Sequence, residues 1–110
     1  MKVRWSREIR CENVNDAEGN PAGGSVGGMG LSIVWQDGPV GGGPERSNPG
    51  QALLEDVVLA AVQRLRFFQA SKFACRENAI ALTHLETALL WLQKRTADRE
   101  EREVEGTHTP

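Results

Sequence analysis

Long apolar runs are missing from this 110-residue chain, and none approaches the roughly 18 residues needed to cross a bilayer. The opening MKVRWSREIR carries charge where a signal peptide needs an apolar centre, so neither secretion nor insertion is signalled and a cytosolic protein is expected. Cysteine is scarce too. Cys11 and Cys75 lie far apart, with no second cysteine or histidine at ligand spacing, which disfavours a metal site and leaves two buried thiols as the expectation. A surplus of one charge is also lacking: 13 Lys and Arg are intermixed with 15 Asp and Glu, for a net charge of −2. Binding to a DNA or RNA polymer needs a basic stripe, so that partner is excluded, although a few converging arginines could hold a small anion.

What is present fits one domain. A chain of this size buries only roughly 65% of its unfolded surface, so its core is modest and self-association would help it. Val3, Trp5, Ile9 and Cys11 fall on odd positions, which predicts a strand over residues 2–13 with Lys2, Arg4, Glu8 and Arg10 on its other face. DAEGNPAGGSVGG at 16–28 has the turn residues of a hairpin connection, and Leu31, Ile33 and Trp35 alternate again in a second strand. The segment WQDGPVGGGPERSNPG that follows combines turn chemistry with three successive glycines, and a loop of this length is usually functional or mobile.

Beyond residue 51 the period changes from two to three and four. Leu54, Val57, Val58, Ala61, Leu65 and Phe68 form the apolar stripe of a helix over 51–69, with Glu55 and Asp56 near its favourable N-terminal end. After a break at 70–75, a longer helix over 77–103 places Ile80, Leu85, Ala88, Leu89 and Leu92 for packing. Leu89, Leu90, Trp91 and Leu92 surround that helix with more apolar surface than one partner helix covers, which suggests a helical dimer interface. The predicted architecture is therefore α+β in a single domain: a β-rich part at 2–50 with an antiparallel sheet and Gly-rich loops, an antiparallel helical hairpin at 51–103 that oligomerises through its helices, and a tail at 104–110.

Catalysis finds little support. GGSVGGMG and GPVGGGP match neither a P-loop nor a dinucleotide fingerprint. His84 stands between apolar helical neighbours and reads as a packed or interfacial histidine, while His108 has no nucleophile arranged near it. Glu77, Glu86 and Asp98 share one helix at separations that do not set them side by side. What remains suits a purine nucleotide: flat faces on Trp5 and Phe68, an amide on Asn78, and guanidinium forks on Arg46 and Arg95. Each aromatic stack contributes about 1–3 kcal/mol and each charge-assisted hydrogen bond about 1.5–3. Two of each total about 5–12 kcal/mol gross, whereas nanomolar capture needs about 12 net, so a tight site has to be enclosed and preshaped, across a subunit interface for instance.

WQDGP at 35–39, CRENAIALTHLETALLWLQKRT at 75–96 and VEGTH at 104–108 together resemble the phage Thoeris anti-defence sponge family. The resemblance implies a non-enzymatic protein without cofactors, acting in the host bacterial cytoplasm. It would assemble from helical homodimers into a hexamer and sequester cyclic ADP-ribose isomers without cleaving them, and in some members also the cyclic di- or trinucleotides of CBASS signalling. It implies ADP-ribose contacts at Trp5, Arg46, Phe68, Asn78 and Arg95, with Trp35 and Arg64 the nearest substitutes for Trp5 and Arg46. A second, cyclic-oligonucleotide site would fall on Arg76, Thr107 and His108. Glu103 stands where the family pattern leads one to expect a glycine, which puts an easy left-handed helix stop in doubt. The rival readings are a nucleotide-cleaving enzyme and a helical protein-interaction module that binds no nucleotide.

Overall fold

A computed structural model describes residues 8–37 and 51–101. Strand β1 (Arg10–Asn15), β2 (Pro21–Gly28) and β3 (Leu31–Trp35) form an antiparallel meander in the order β1-β2-β3. Helices α1 (Leu54–Gln69) and α2 (Arg76–Glu101) follow and pack on each other as an antiparallel hairpin. The predicted α+β architecture of sheet and hairpin is thus the observed one.

The sheet departs from expectation at its centre. Residues 16–28 do not form one long connection: the turn is confined to 16–20, and PAGGSVGG is the middle strand, paired on both sides. Asp16 shortens the turn because its Oδ1 accepts from the backbone N–H of Glu18 and of Asn20, at 2.9 and 3.0 Å, as an Asx turn does. Glycine weakens an isolated strand, but here it allows close approach. The β1–β2 register slips by one residue between Asn13 and Asn15, and Gly23 and Gly24 absorb the bulge at φ +86° and +137°. A Cβ on Gly24 would lie 2.1 Å from the Glu12 carbonyl oxygen. Gly24→Ala therefore adds a backbone conformation that L-residues avoid to a clash with main chain, and should cost about 2–3 kcal/mol, read as a fall in thermal midpoint of roughly 10 °C or more.

The first strand also begins later than expected. Of the predicted 2–13, residues 2–7, with Val3 and Trp5, lie outside the described residues, while Glu8 and Ile9 precede β1 and Asn13–Asn15 belong to it. Cys11 pairs with Val26, which pairs with Ile33, so one row crosses all three strands. Both cysteines are nevertheless exposed, contrary to the expectation of buried thiols: β1 is an edge strand, paired on one side only among the described residues, and Cys75 ends the interhelical turn.

Sheet and hairpin are joined through backbone. Ala52 bridges β3 in parallel, donating its N–H to the Val34 carbonyl and accepting from the N–H of Gln36. Beside it, Gln51 donates its N–H to Gln36 Oε1, and Asp37 donates its N–H to Gln51 Oε1, at 3.1 and 3.2 Å. The chain therefore leaves the sheet and re-enters beside it at nearly the same point.

In the hairpin, Val62 is fully buried, alone among the described residues. Residues 78, 82, 85, 89, 92 and 96 of α2 are half-buried at alternating steps of four and three, the seam expected of one helix lying along another. Ile80 and Ala88, expected in that packing set, are exposed on a different face, because they stand one residue or more off the seam. Leu90 and Trp91 are 65% and 66% exposed.

Candidate functional site

The two ends of the hairpin carry different chemistry. At the turn end, Phe68 lies in the last turn of α1 and Asn78 in the first turn of α2. Gln69 clamps the turn between them: its Nε2 donates to the Cys75 carbonyl and its Oε1 accepts from the Cys75 N–H, both at 3.0 Å. The Ser71 hydroxyl donates to the Phe68 carbonyl at 2.6 Å, satisfying a carbonyl that the helix end leaves open. Phe68 and Asn78 thus stand on a braced corner. The Phe68 ring is half-buried, tilted 59° to Phe67 with centroids 6.0 Å apart, and the Arg64 guanidinium sits 4.9 Å from its centroid. Asn78 is half-buried and its amide has no hydrogen-bond partner among the described residues.

At the open end, Arg95 Nη2 donates to Glu55 Oε1 across the hairpin. A second ion pair, Arg66 with Glu86 at 2.8 Å, crosses nearer the middle. Together they brace α1 against α2. The Arg95 side chain is 55% exposed, so its pair with Glu55 contributes at most about 1 kcal/mol in solvent and is readily exchanged for a stronger anion.

Arg95 stands 17 positions beyond Asn78 on α2, which at 1.5 Å per residue is about 26 Å. That exceeds the span of one cyclised ADP-ribose. A single protomer therefore brings Phe68 and Asn78 together but not Arg95. Trp35, half-buried where β3 meets Ala52, belongs with the open end, whereas Arg64 and the exposed Arg76 belong with the turn end. Trp5, Arg46, Thr107 and His108 lie outside the described residues, as does Glu103. His84 is exposed on α2. Of the candidate acids, Glu86 is held by Arg66 and Asp98 by Lys94 at 2.9 Å, so neither is poised as half of a carboxylate pair. An open depression of about 580 Å³ beside β1, lined by Glu8, Ile9, Arg10, Gly27 and Gly28, contains none of the candidate residues.

Sequence reasoning missed two participants. Glu55 was read only as favourable for a helix N-terminus, and its contact with Arg95 spans 40 positions, beyond any periodicity. Arg64, the expected substitute for Arg46, also covers the Phe67 and Phe68 rings, a contact that its spacing of three and four residues from them signals.

Residues 32–97, which take in β3, α1 and most of α2, match the family model described as the Acb2/Tad1 hairpin domain. A protein of Bacillus phage SBSphiJ7 named Thoeris anti-defense 1 is 61% identical over 54 residues, which make up 49% of this chain and 38% of that relative. The chain thus matches well under half the length of this relative.

Proposed function

Because the chain belongs to the Acb2/Tad1 hairpin family, we propose that it is a phage anti-defence protein that captures cyclic nucleotide immune signals and holds them unreacted. Cyclic ADP-ribose isomers are the foremost ligands in this reading, and their removal keeps a Thoeris effector from being activated in the host bacterial cytoplasm. The name of the phage relative, Thoeris anti-defense 1, supports the biological setting. The chemistry is carried by one observation: a stacking ring and an unengaged amide share the turn end of the hairpin, while a weakly held guanidinium stands about 26 Å away at the other. Those groups serve one ligand only if two copies of the chain lie antiparallel, each supplying one end.

In that arrangement Phe68 stacks on the base, Asn78 reads its edge, and Arg95 of the second copy neutralises the pyrophosphate, with Trp5 and Arg46 completing the enclosure. Binding without reaction follows from this set, since stacking rings, an amide and guanidinium groups hold charge but offer no nucleophile or general base. Further pairing of dimers into a hexamer would bring Arg76, Thr107 and His108 to junctions where a cyclic di- or trinucleotide could bind. No DNA or RNA polymer and no membrane is a partner in this reading; among the described residues, no helix is long and apolar enough to cross a bilayer.

The decisive experiment mixes the protein with a cyclic ADP-ribose isomer, removes unbound ligand, denatures the protein by heat and identifies what is released. Intact ligand in near-stoichiometric amount is expected. A linear or hydrolysed product would replace capture with hydrolysis, and no released ligand of any kind would leave a protein-interaction hairpin.

A further inference from the structure

The contact between Arg95 and Glu55 denies the open end of the hairpin the positive charge that a general phosphate site carries. Glu55 is the second residue of α1 and its side chain is only 25% exposed, so its carboxylate is held where Arg95 reaches it. Asp56 follows in the same turn, and Leu53 at the N-cap offers the helix no side-chain hydrogen bond. A helix start of that kind attracts anions through its open N–H groups, and beside an arginine it would take any phosphate. Here two acids sit on it. Lys94, next to Arg95, is likewise matched, by Asp98 at 2.9 Å. Two cations, Lys94 and Arg95, thus stand among three acids, Glu55, Asp56 and Asp98, which leaves the group one charge negative.

Charge of this kind sorts nucleotides that share a base. A phosphate esterified on both sides carries one negative charge, whereas a terminal phosphate carries nearly two at neutral pH. A cyclised ADP-ribose has only the first kind. ADP and ATP offer the same adenine to Phe68 and Asn78 and the same pyrophosphate to Arg95, but they end in the second kind. Stacking and an amide cannot separate them, and capture of a scarce signal in a cytoplasm full of such nucleotides needs a means of refusing them.

We infer that Glu55 is the specificity-determining residue of the phosphate end: held against Arg95, its carboxylate admits a pyrophosphate closed in a ring and turns away one that ends in a free terminal phosphate. The inference rests on the proposed function for the ligand itself and goes beyond it in naming what the site refuses and which side chain refuses it. A carboxylate and a phosphate bonded to one guanidinium at about 2.8 Å each lie on the order of 6 Å apart. At that range, in a partly exposed site, each added negative charge on the phosphate lowers affinity by a factor of about ten. Exchange of the carboxylate for the phosphate does not remove this repulsion, because α1 keeps Glu55 within a side-chain length of Arg95.

Competition calorimetry tests it. The parent and Glu55→Gln are titrated with a cyclic ADP-ribose isomer and, in magnesium-free buffer, with ADP and ATP. The ratio of the ADP Kd to the cyclic-ligand Kd should fall about 10-fold in Glu55→Gln, and the ATP ratio by at least as much. Glu55→Ala, which removes the side chain's reach along with its charge, should shift both ratios in the same direction. Asp56→Asn deletes an equal charge one residue further on, at a side chain that makes no contact with Arg95 among the described residues, and should move the ratios less than about 3-fold. A merely structural role for Glu55 would change all three affinities alike. Equal shifts, unchanged ratios in both Glu55 variants, or an Asp56→Asn effect as large as that of Glu55→Gln each overturn the inference and leave capture of the cyclic signal standing. A parent that binds no cyclic isomer refutes the proposed function, and the inference falls with it.

Discussion

Replacing Arg95 with alanine should weaken capture of a cyclic ADP-ribose isomer by roughly 100-fold or more while leaving the folded chain nearly as stable as before. Both halves of that expectation follow from the surroundings of the guanidinium. Its resting partner is Glu55, in a pair whose Arg95 side chain is 55% exposed, and such pairs contribute at most about 1 kcal/mol. A pyrophosphate in a closed cleft offers two charge-assisted hydrogen bonds, about 3 kcal/mol or more together, which corresponds to the 100-fold loss. The measurement is ligand-induced thermal stabilisation. At a ligand concentration 1,000 times Kd the parent gains about 4 kcal/mol, whereas a 100-fold weaker variant gains only about 1.4. Glu55→Gln serves as the control, since it breaks the same resting pair but keeps the cation, so ligand stabilisation should survive in it. Full stabilisation of the Arg95→Ala protein would remove the phosphate site and, with it, the sequestration mechanism as drawn here.

The helices were legible because burial follows a period. Leu54 through Phe68 repeat at three and four residues, and the predicted 51–69 and 77–103 differ from α1 and α2 by at most three residues at any end. Even so, the apolar stripe read from sequence omitted Val62, four residues after Val58 and three before Leu65, which is the fully buried residue. The middle strand was illegible for a physical reason: PAGGSVGG has no apolar alternation and carries the composition of a turn, and it is held by neighbours on both sides and by a bulge that only glycine tolerates. Tertiary pairing there overrides local propensity. For the site, the division is sharper still. Phe68, Asn78 and Arg95 are singled out by side-chain chemistry and by resemblance to a family, not by spacing, and nothing local in the sequence places the first two at one corner of a hairpin and the third four to five turns away. Nor does periodicity reveal that Arg95 rests on Glu55, because chain positions 40 apart meet only once the hairpin has closed.

That separation gives the second large effect, which appears only when two defective proteins are mixed. Phe68→Ala removes the stacking ring, Arg95→Ala removes the phosphate contact, and each protein alone should bind a cyclic ADP-ribose isomer at least about 100-fold more weakly, so that little is held at concentrations about ten times the parent's Kd. If Phe68 and Arg95 of one chain served the same cleft, mixing could restore nothing. In the proposed two-copy cleft the opposite holds: Phe68 of one copy works with Arg95 of the other, so a heterodimer has one cleft with both groups intact and one with neither. Random reassortment makes half the dimers mixed, and each mixed dimer carries one competent cleft of two, so about a quarter of the parental binding stoichiometry should return with an affinity close to the parent's. Calorimetry reads both values, and native mass spectrometry confirms that mixed dimers have formed. Phe68→Ala alters a half-buried corner that Gln69 and Ser71 brace through backbone contacts, so both chains should fold and exchange. Mixed dimers that bind nothing would place the two residues in separate sites, and the antiparallel two-copy cleft would have to be abandoned.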